Sequence, residues 1–423
     1  MNIKIVLNLC IASLLLALLT ACHSDQTSIR PNHDSNMALI IKEPTIIDVK
    51  YGVAYAGSIW IERGFIKQIG PLADMSQDPS IRVIDGRGKF IIPGLFDMHL
   101  HLVEDHNAVP QLGHLLARGI TGVRDLGGVA ESVALARQGI ARGEMTGPDV
   151  YFSGWTLDGN QAADPFHHKI QSHDDINDAV QKLGAMGVDF FKIHNYFPRE
   201  QLYNLKRISD QLGLKIIGHI PVGIGLMELD AVGIQGIEHI NSVLSGIVLD
   251  PSNEVNTLAD ALTALNESYV ASWAVYLRQN GIALTPTLYA MDDMYSNFEG
   301  EAAQATGRRL MALFHDMIRW LNEAGVVLLA GTDRGVLTAE NMDQLHEELN
   351  HLVKAGLSPA DALKTATINP AMFLELDHQH GSIDINKKAN LVILHSNPLI
   401  DIANTRDIHL VLKNGQVIQP TSG

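Results

Sequence analysis

Cysteine is almost missing from this chain. Of 423 residues only two are cysteines, Cys10 and Cys22, and both precede the first stretch patterned like a folded domain. The remainder therefore has no disulfide and no thiolate ligand, which excludes a zinc finger and a thiol-redox centre. Long basic runs are missing too. The formal charge is −16, from 31 Lys and Arg against 47 Asp and Glu. Without clustered cations to meet phosphates, nucleic acid is excluded as a partner. No Gly-x-Gly-x-x-Gly loop opens the first helical stretch, as a dinucleotide-binding sheet would require. What is present is ordinary for a globular protein: 46% hydrophobic and 18% charged residues, in a length suited to one large domain or two modest ones.

The first residues read as a targeting segment. Lys4 supplies a positive start, and Ile5 to Leu19 is almost wholly apolar but too short to span a membrane. Leu19-Thr20-Ala21-Cys22 resembles the bacterial lipoprotein box. Residues 1–21 are thus expected to be a lipoprotein signal peptide, with Cys22 lipidated after cleavage; an ordinary signal peptide cut near Ala21 is the alternative. Residues 22–36 are polar and unpatterned, as in a flexible tether. The expected location is exported and anchored to a bacterial membrane, on the periplasmic or outer-surface side. A homo-oligomer remains open.

From residue 37 to 92, short β-like runs alternate with turn residues, and the C-terminal region from about 380 to 423 repeats that texture. Lys413-Asn414-Gly415-Gln416 carries the Asn-Gly signal of a tight hairpin. Both ends together are expected to form a small β-sandwich domain. Between them, residues 93–379 alternate apolar strands with amphipathic helical stretches, Gly225 to Val232 among them, the mark of parallel α/β architecture. Counting from Phe90-Ile91-Ile92, and ending with a strand over Val326 to Asp333, gives eight βα units. That number fits a (β/α)₈ TIM barrel. A doubly wound open sheet is the alternative.

Active-site groups in such barrels sit at the carboxyl ends of the strands. There the sequence places His99, His101, Lys192, His219, His239 and Asp333. His99 and His101 stand at i and i+2, so in a strand they share a face and can share a divalent cation. Each residue alone has a plainer explanation. A single His is more often a hydrogen-bonded core residue, a Lys usually snorkels, and Gly-Thr-Asp is often a helix N-cap. Lys192 carries more weight. Between Phe190, Phe191 and Ile193 a bare ammonium is costly to bury. Addition of carbon dioxide would turn it into an anionic carbamate able to bridge two cations.

Several motifs give the chain a resemblance to the amidohydrolase superfamily, within the group of imidazolonepropionase-like proteins and Xaa-Pro dipeptidases. They are Pro-Gly-Leu-Phe-Asp-Met-His-Leu-His at 93–101, Thr-Gly-Val-Arg-Asp-Leu-Gly-Gly at 121–128 and Asp-Phe-Phe-Lys-Ile at 189–193. Gly-His at 218–219, Ile-Glu-His at 237–239, Ala-Gly-Thr-Asp at 330–333 and Ala-Thr-Ile-Asn-Pro-Ala at 366–371 complete the set. The resemblance implies two divalent metal ions, zinc first among the candidates. His99 and His101 would bind one with Asp333, His219 and His239 the other, and carboxylated Lys192 would bridge. It also implies a hydroxide between the ions that attacks a carbonyl, with Asp333 as catalytic proton carrier.

The expected function is therefore metal-dependent cleavage of a C–N bond in a small substrate such as a dipeptide or N-acyl amino acid. Lactone, ester or phosphotriester hydrolysis on the same site is an alternative, as is a catalytically inactive surface binding lipoprotein. Deamination ranks lower. Substrate-binding candidates are His194, Asn195, Tyr196 and Arg124. His194 is also a possible spectator, and Asn195 and Tyr196 a possible surface turn before Pro198. Arg124-Asp125 is expected to form an internal ion pair organising the rim. His167, His168 and His173 fall in the loop after the third strand and are expected to be solvent-exposed, and Asp158-Gly159-Asn160 in that loop could gate the pocket.

Overall fold

Short runs of β-branched and aliphatic residues become strands wherever turn residues bound them. In the computed structural model, residues 38–75, 78, 81–103, 112–162, 167–249, 254–255, 257–335 and 343–418 are described. The expected signal peptide, Cys22 and tether lie outside them. Seven strands come first: β1 (Ala38–Lys42), β2 (Thr45–Asp48), β3 (Val53–Ala56), β4 (Ser58–Glu62), β5 (Phe65–Gly70), β6 (Arg82–Asp85) and β7 (Phe90–Pro93). Nine follow, interleaved with helices: β8 (Leu95–Leu100), β9 (Ile120–Asp125), β10 (Asp149–Phe152), β11 (Thr156–Asp158), β12 (His167–Lys169), β13 (Phe190–Ile193), β14 (Lys215–Gly218), β15 (Ile234–Glu238) and β16 (Ala283–Thr285). The C-terminal region adds β17 (Leu391–Leu394), β18 (Ile408–Lys413) and β19 (Gln416–Ile418).

The chain ends combine into two sheets, ordered β5-β4-β1-β6 and β19-β18-β17-β7-β2-β3. Alternation puts one aliphatic face of each against the other. Ile41, Ile59 and Ile66 of the first sheet share a buried cluster with Ile46, Ile91, Ile393 and Leu412 of the second. The Asn-Gly hairpin forms as its sequence predicts: Lys413 pairs with Gln416, with Asn414 and Gly415 at φ 49° and 73°.

The middle is mixed α/β with parallel sheets. Their orders are β10-β9-β8 and β12-β11-β13-β14-β15-β16, and the pairings within both are parallel. Backbone bonds link them at both ends. Asp189 N donates to Phe152 O at 2.8 Å, while Leu329 N donates to Leu284 O at 2.9 Å and Met98 N to Ala330 O at 2.8 Å. Val133, Phe191, Ile216, Leu284 and Phe314 belong to the large cluster that packs helices onto these strands.

Four local expectations need correction. Phe90-Ile91-Ile92 does not lead into His99 as one strand: β7 pairs with β17 and β2 of the terminal sheet. The chain breaks at Gly94, where a Cβ would lie 2.2 Å from Thr121 Oγ1, and restarts as β8. Val326 to Asp333 forms no regular strand among the described residues: it makes one isolated bridge, Leu284 to Leu328, and after the turn at Asp333, φ 53°, Arg334 bridges to Leu100. Gly225 to Val232 holds a 3₁₀ turn, Leu226–Glu228, rather than a helix, with Gly225 capping its start and Gly233, φ 84°, ending the segment. The loop expected after β10 instead contains β11 and β12, with β11 paired to β13.

Candidate metal centre

His99 occupies the end of β8, and His101 lies one residue beyond it. The i, i+2 rule holds: both rings face one cleft of about 260 Å³. That cleft is also lined by Lys192 from β13, His219 just past β14, His239 just past β15, and Asp333. All six expected ligand positions thus come together. Tight turns aim two of them. His239 and Asp333 sit at φ 67° and 53°, and Thr287 beside His239 at 51°. Such backbone conformations are rare for residues with side chains and concentrate where a site must be held in place. Gly331 is required by close approach, as a Cβ there would fall 2.7 Å from His99 Cβ.

Each of the four histidines is anchored through Nδ1. His99 Nδ1 lies 2.8 Å from Glu238 Oε2, and His101 Nδ1 lies 3.1 Å from Gly127 O. His219 Nδ1 lies 2.8 Å from Asn195 Oδ1. His239 Nδ1 lies 2.8 Å from Thr287 Oγ1, whose own proton goes to Pro286 O. Every one of these partners is an acceptor, so Nδ1 carries a proton and Nε2 is the nitrogen turned toward the cleft. Metal-binding histidines are oriented in this way.

The Nε2 side then presents an electrostatic conflict. Asp333 Oδ1 lies 3.1 Å from His99 Nε2 and 3.3 Å from His101 Nε2. On a neutral ring, lone pairs would face lone pairs there; desolvation pulls the His101 ring down, but Asp333 raises it above the ordinary imidazole value, and buried His99 Nε2 has no hydrogen-bond partner. Protons on the rings or a cation between them would relieve this. His99, His239 and Asp333 also place their ligand atoms within 4.8 Å of one another. The donor set, imidazole and carboxylate without thiolate, fits zinc, manganese, iron or cobalt.

Charge around the centre is balanced from beneath. Burial works against ionisation of Glu238, but the Arg124 guanidinium at 2.6 Å and His99 bring its carboxyl down to about 2. Burial also opposes ionisation of Asp333, yet His239 and His99 hold its carboxyl well below the usual range. Lys192, 2% exposed, is pushed down to about 8 by desolvation, against the pull of Glu238 and Asp333. Desolvation takes His239 down to about 3.

The substrate-binding candidates separate. His194 lines the cleft. Asn195 is committed to His219. Tyr196, 44% exposed, is absent from the cleft lining, and its backbone N–H donates to Asp158 Oδ1 at 2.7 Å. Arg124 is corrected: it is fully buried beneath the site and donates to Met98 O, Glu238 and Thr285. Its expected ion pair with Asp125 is replaced by the one with Glu238, while Asp125 Oδ2 accepts from Leu102 N at 2.7 Å. His167 lines the cleft instead of facing solvent. His168 is half-buried and stacks on Trp155 at 4.7 Å, and His173 is exposed. Asp158 is buried rather than poised as a gate.

Sequence reasoning passed over two carboxylates. Asp97 accepts from Thr332 Oγ1 at 2.8 Å and from the backbone of Thr332 and His99, tying β8 to the turn that carries Asp333. Burial pushes its carboxyl up to about 7. The signal was its i−2 spacing from His99. Glu238, which orients His99, was signalled only by lying next to His239.

Residues 90–418 match the family described as the Amidohydrolase family. The chain is 24% identical over 413 residues to the imidazolonepropionase of Brevibacillus brevis, covering 86% of this chain and 90% of that protein. It is 23% identical over 415 residues to the adenine deaminase of Desulforamulus reducens, covering 90% of this chain but only 57% of that relative's length. A solved Xaa-Pro dipeptidase with bound methionine superposes with a TM-score of 0.72 at 21% identity, covering 90% of this chain and 99% of that one; at that identity the likeness speaks for the fold. A family match running from β7 to β19 establishes that the chain belongs to the amidohydrolase family of enzymes.

Proposed function

We propose that this chain is a metal-dependent hydrolase that cleaves a C–N bond of a small substrate, with a dipeptide or N-acyl amino acid as leading candidate. The observation that carries this is the set of four Nδ1-anchored histidines around Asp333, with Lys192 buried among them. In this reading the parallel strands and the 327–334 segment close as a (β/α)₈ barrel, with the terminal sheets as its β-sandwich domain.

His99 and His101 would hold one cation with Asp333, and His219 and His239 a second. Lys192 would join them as a carbamate. Its lowered value, about 8, leaves more neutral amine near pH 7–8 than an exposed lysine has, and the neutral amine is the form that adds carbon dioxide. Divalent cations bound there supply carbonyl polarisation and a water that ionises near neutral pH. Asp333, held anionic, takes the proton of the attacking water on its carboxylate and delivers it to the leaving nitrogen. Asp97 and Thr332 keep that carboxylate aimed, and Glu238 fixes the tautomer of His99.

The N-terminal lipoprotein reading, with export and anchoring through Cys22, belongs to the same proposal. Among the described residues, no helix is long and apolar enough to cross a membrane. Membrane fractionation of wild type against Cys22→Ala tests the anchor, with release of the variant expected.

For the site, purified protein should hold close to two divalent ions per chain by elemental analysis. Lys192→Ala should lose metal and activity, and a short carboxylic acid should restore part of both. Full metal content and full rate in Lys192→Ala would rule out the bridging carbamate. A screen of dipeptides, N-acyl amino acids and lactones identifies the bond; lactone turnover without amide turnover would replace the C–N assignment.

A further inference from the structure

One helix on the wall of the cleft has no part in holding the cations above. The helix Leu288–Ser296 follows β16 and places Met291 and Met294 on the cleft lining. They stand at i and i+3, which is one face of a helix. Besides Leu126, which is fully buried, they are the only apolar side chains on the described lining. Met291 is 1% exposed and Met294 51%, so the pair steps from packed core to open surface.

The charged neighbours on this helix are occupied elsewhere. Asp292 Oδ2 lies 4.0 Å from His351 Nε2 of the helix Gln344–Lys354. Asp293 Oδ2 accepts from Arg334 Nη2 at 2.8 Å, and Arg334 follows Asp333 in the chain. Neither aspartate lines the cleft. The first turn of the helix is held as well. Its N-cap, Thr287, makes no side-chain cap bond, because the hydroxyl is committed to Pro286 O and His239. Buried Glu348 takes over from the helix Gln344–Lys354, its Oε2 accepting from Tyr289 N at 2.7 Å. Through Thr287 and Arg334 the methionine pair is thus fixed relative to His239 and Asp333.

Open apolar surface beside a polar cluster is stabilised by an apolar group that covers it. A charged group placed there would lose solvation and find no partner on this helix face. Unbranched thioether side chains adapt to different shapes, so the pair accepts aliphatic and aromatic outlines alike.

We propose that Met291 and Met294 form the subsite for an uncharged aliphatic or aromatic side chain flanking the scissile bond, which selects leucine-, methionine- or phenylalanine-type amides over those of aspartate, glutamate or lysine. This rests on the hydrolase reading of the adjoining site for the nature of the bond and adds the class of side chain beside it.

The test uses the metal-loaded full chain and three chelating probes that share one head group. Acetohydroxamate has no side chain, 4-methylpentanohydroxamate adds an isobutyl group, and succinomonohydroxamate adds a carboxylate. Calorimetry on wild type should show the isobutyl probe binding at least about tenfold more tightly than acetohydroxamate, since each buried methylene is worth about fourfold. The carboxylate probe should bind no more tightly than acetohydroxamate. Met294→Ala should lower the isobutyl preference at least about threefold, and Met291→Ala with Met294→Ala should bring it to within about twofold. Equal affinities in wild type would overturn the proposal. A preference undiminished in Met294→Ala would also overturn it and place the side chain elsewhere in the cleft, and tighter binding of the carboxylate probe would give the subsite to a charged group. Met291 is buried, so if the double variant does not fold, half-exposed Met294→Ala decides alone. Turnover of the leucine and glutamate members of one substrate series separates the two readings. No turnover of either, with the isobutyl preference intact in binding, removes the hydrolase reading alone. Equal kcat/KM for both removes the subsite alone.

Discussion

Between the two terminal sheets the buried side chains are Ile, Leu and Ala. At the carboxyl ends of β8, β9, β13 and β15 they include Asp97, His99, Arg124, Asp125, Lys192, Glu238 and, one residue on, His239. Both regions exclude water, but they meet different requirements. Each aliphatic side chain in the first stabilises by its own burial, roughly 1.5–3 kcal/mol apiece, with no partner needed. Each polar group in the second loses solvation and must recover it from a specific neighbour. Arg124 is matched by Glu238, Glu238 by His99, and Asp97 by Thr332. The series stops at His99 Nε2, which faces Asp333 at 3.1 Å without a hydrogen-bond partner, where the proposed cation would sit. One region is therefore built for stability, while the other holds a charge distribution that the proposed cations would complete.

Substitutions can break that contrast. The largest effect is expected from Asp333→Asn, which removes the proton carrier: kcat should fall by about 10³- to 10⁴-fold in steady-state assays, with thermal unfolding little changed. A similar midpoint and a similar rate together would remove Asp333 from the chemistry. Next comes Arg124→Met, which strands buried Glu238. Urea unfolding should show a loss of about 3–5 kcal/mol, together with weaker cation binding. Ile41→Ala, between the terminal sheets, should cost about 2–5 kcal/mol by the same measurement, yet leave the metal content of each folded chain unchanged. If Ile41→Ala lowered metal content per folded chain, the two regions would be energetically one.

Smaller effects sharpen the comparison. Glu238→Gln keeps the shape but loosens the anchor of His99, and chelator competition should show cation affinity reduced about 10- to 100-fold. The smallest is a pH effect on the metal-free chain. Lys192 falls from 10.5 to about 8 on folding, so between those values the unfolded chain binds more protons and stability rises with pH. Below about pH 8 both states carry the proton and the dependence ends. Melting temperatures of metal-free wild type should climb across that window, and Lys192→Met should flatten the climb.

Much of the site was legible because its signals are local. The i, i+2 spacing of His99 and His101 survives any tertiary detail, provided the segment is extended. A lysine flanked by Phe190, Phe191 and Ile193 announces an unusual burial from the sequence alone. Strand ends were harder to read. At Gly94, between β7 and β8, Thr121 of the neighbouring strand leaves no room for a side chain, and no local pattern records that close approach. Arg124 looked like a rim residue because Arg-Asp at a strand end commonly is one. Its partner Glu238 is 114 positions away, and that distance conceals the pairing. His167 was read as exposed because it lies outside every regular βα unit, yet the parallel pairings of β12 with β11 and of β11 with β13 carry it to the cleft.

What the amino-acid sequence determined by itself is the chemistry available: imidazole and carboxylate without thiol after residue 22, and alternation suited to parallel strands between two β-rich ends. Tertiary structure decided which nitrogen of each ring is left to bind, which carboxylates act on Asp333 and which on the histidines, and that Asp158 gathers His167 and His194. These outcomes depend on atoms brought within about 3 Å from distant strands. Hydrogen-bond direction at that range is set by packing and by which backbone groups are already committed, which no spacing along the chain encodes.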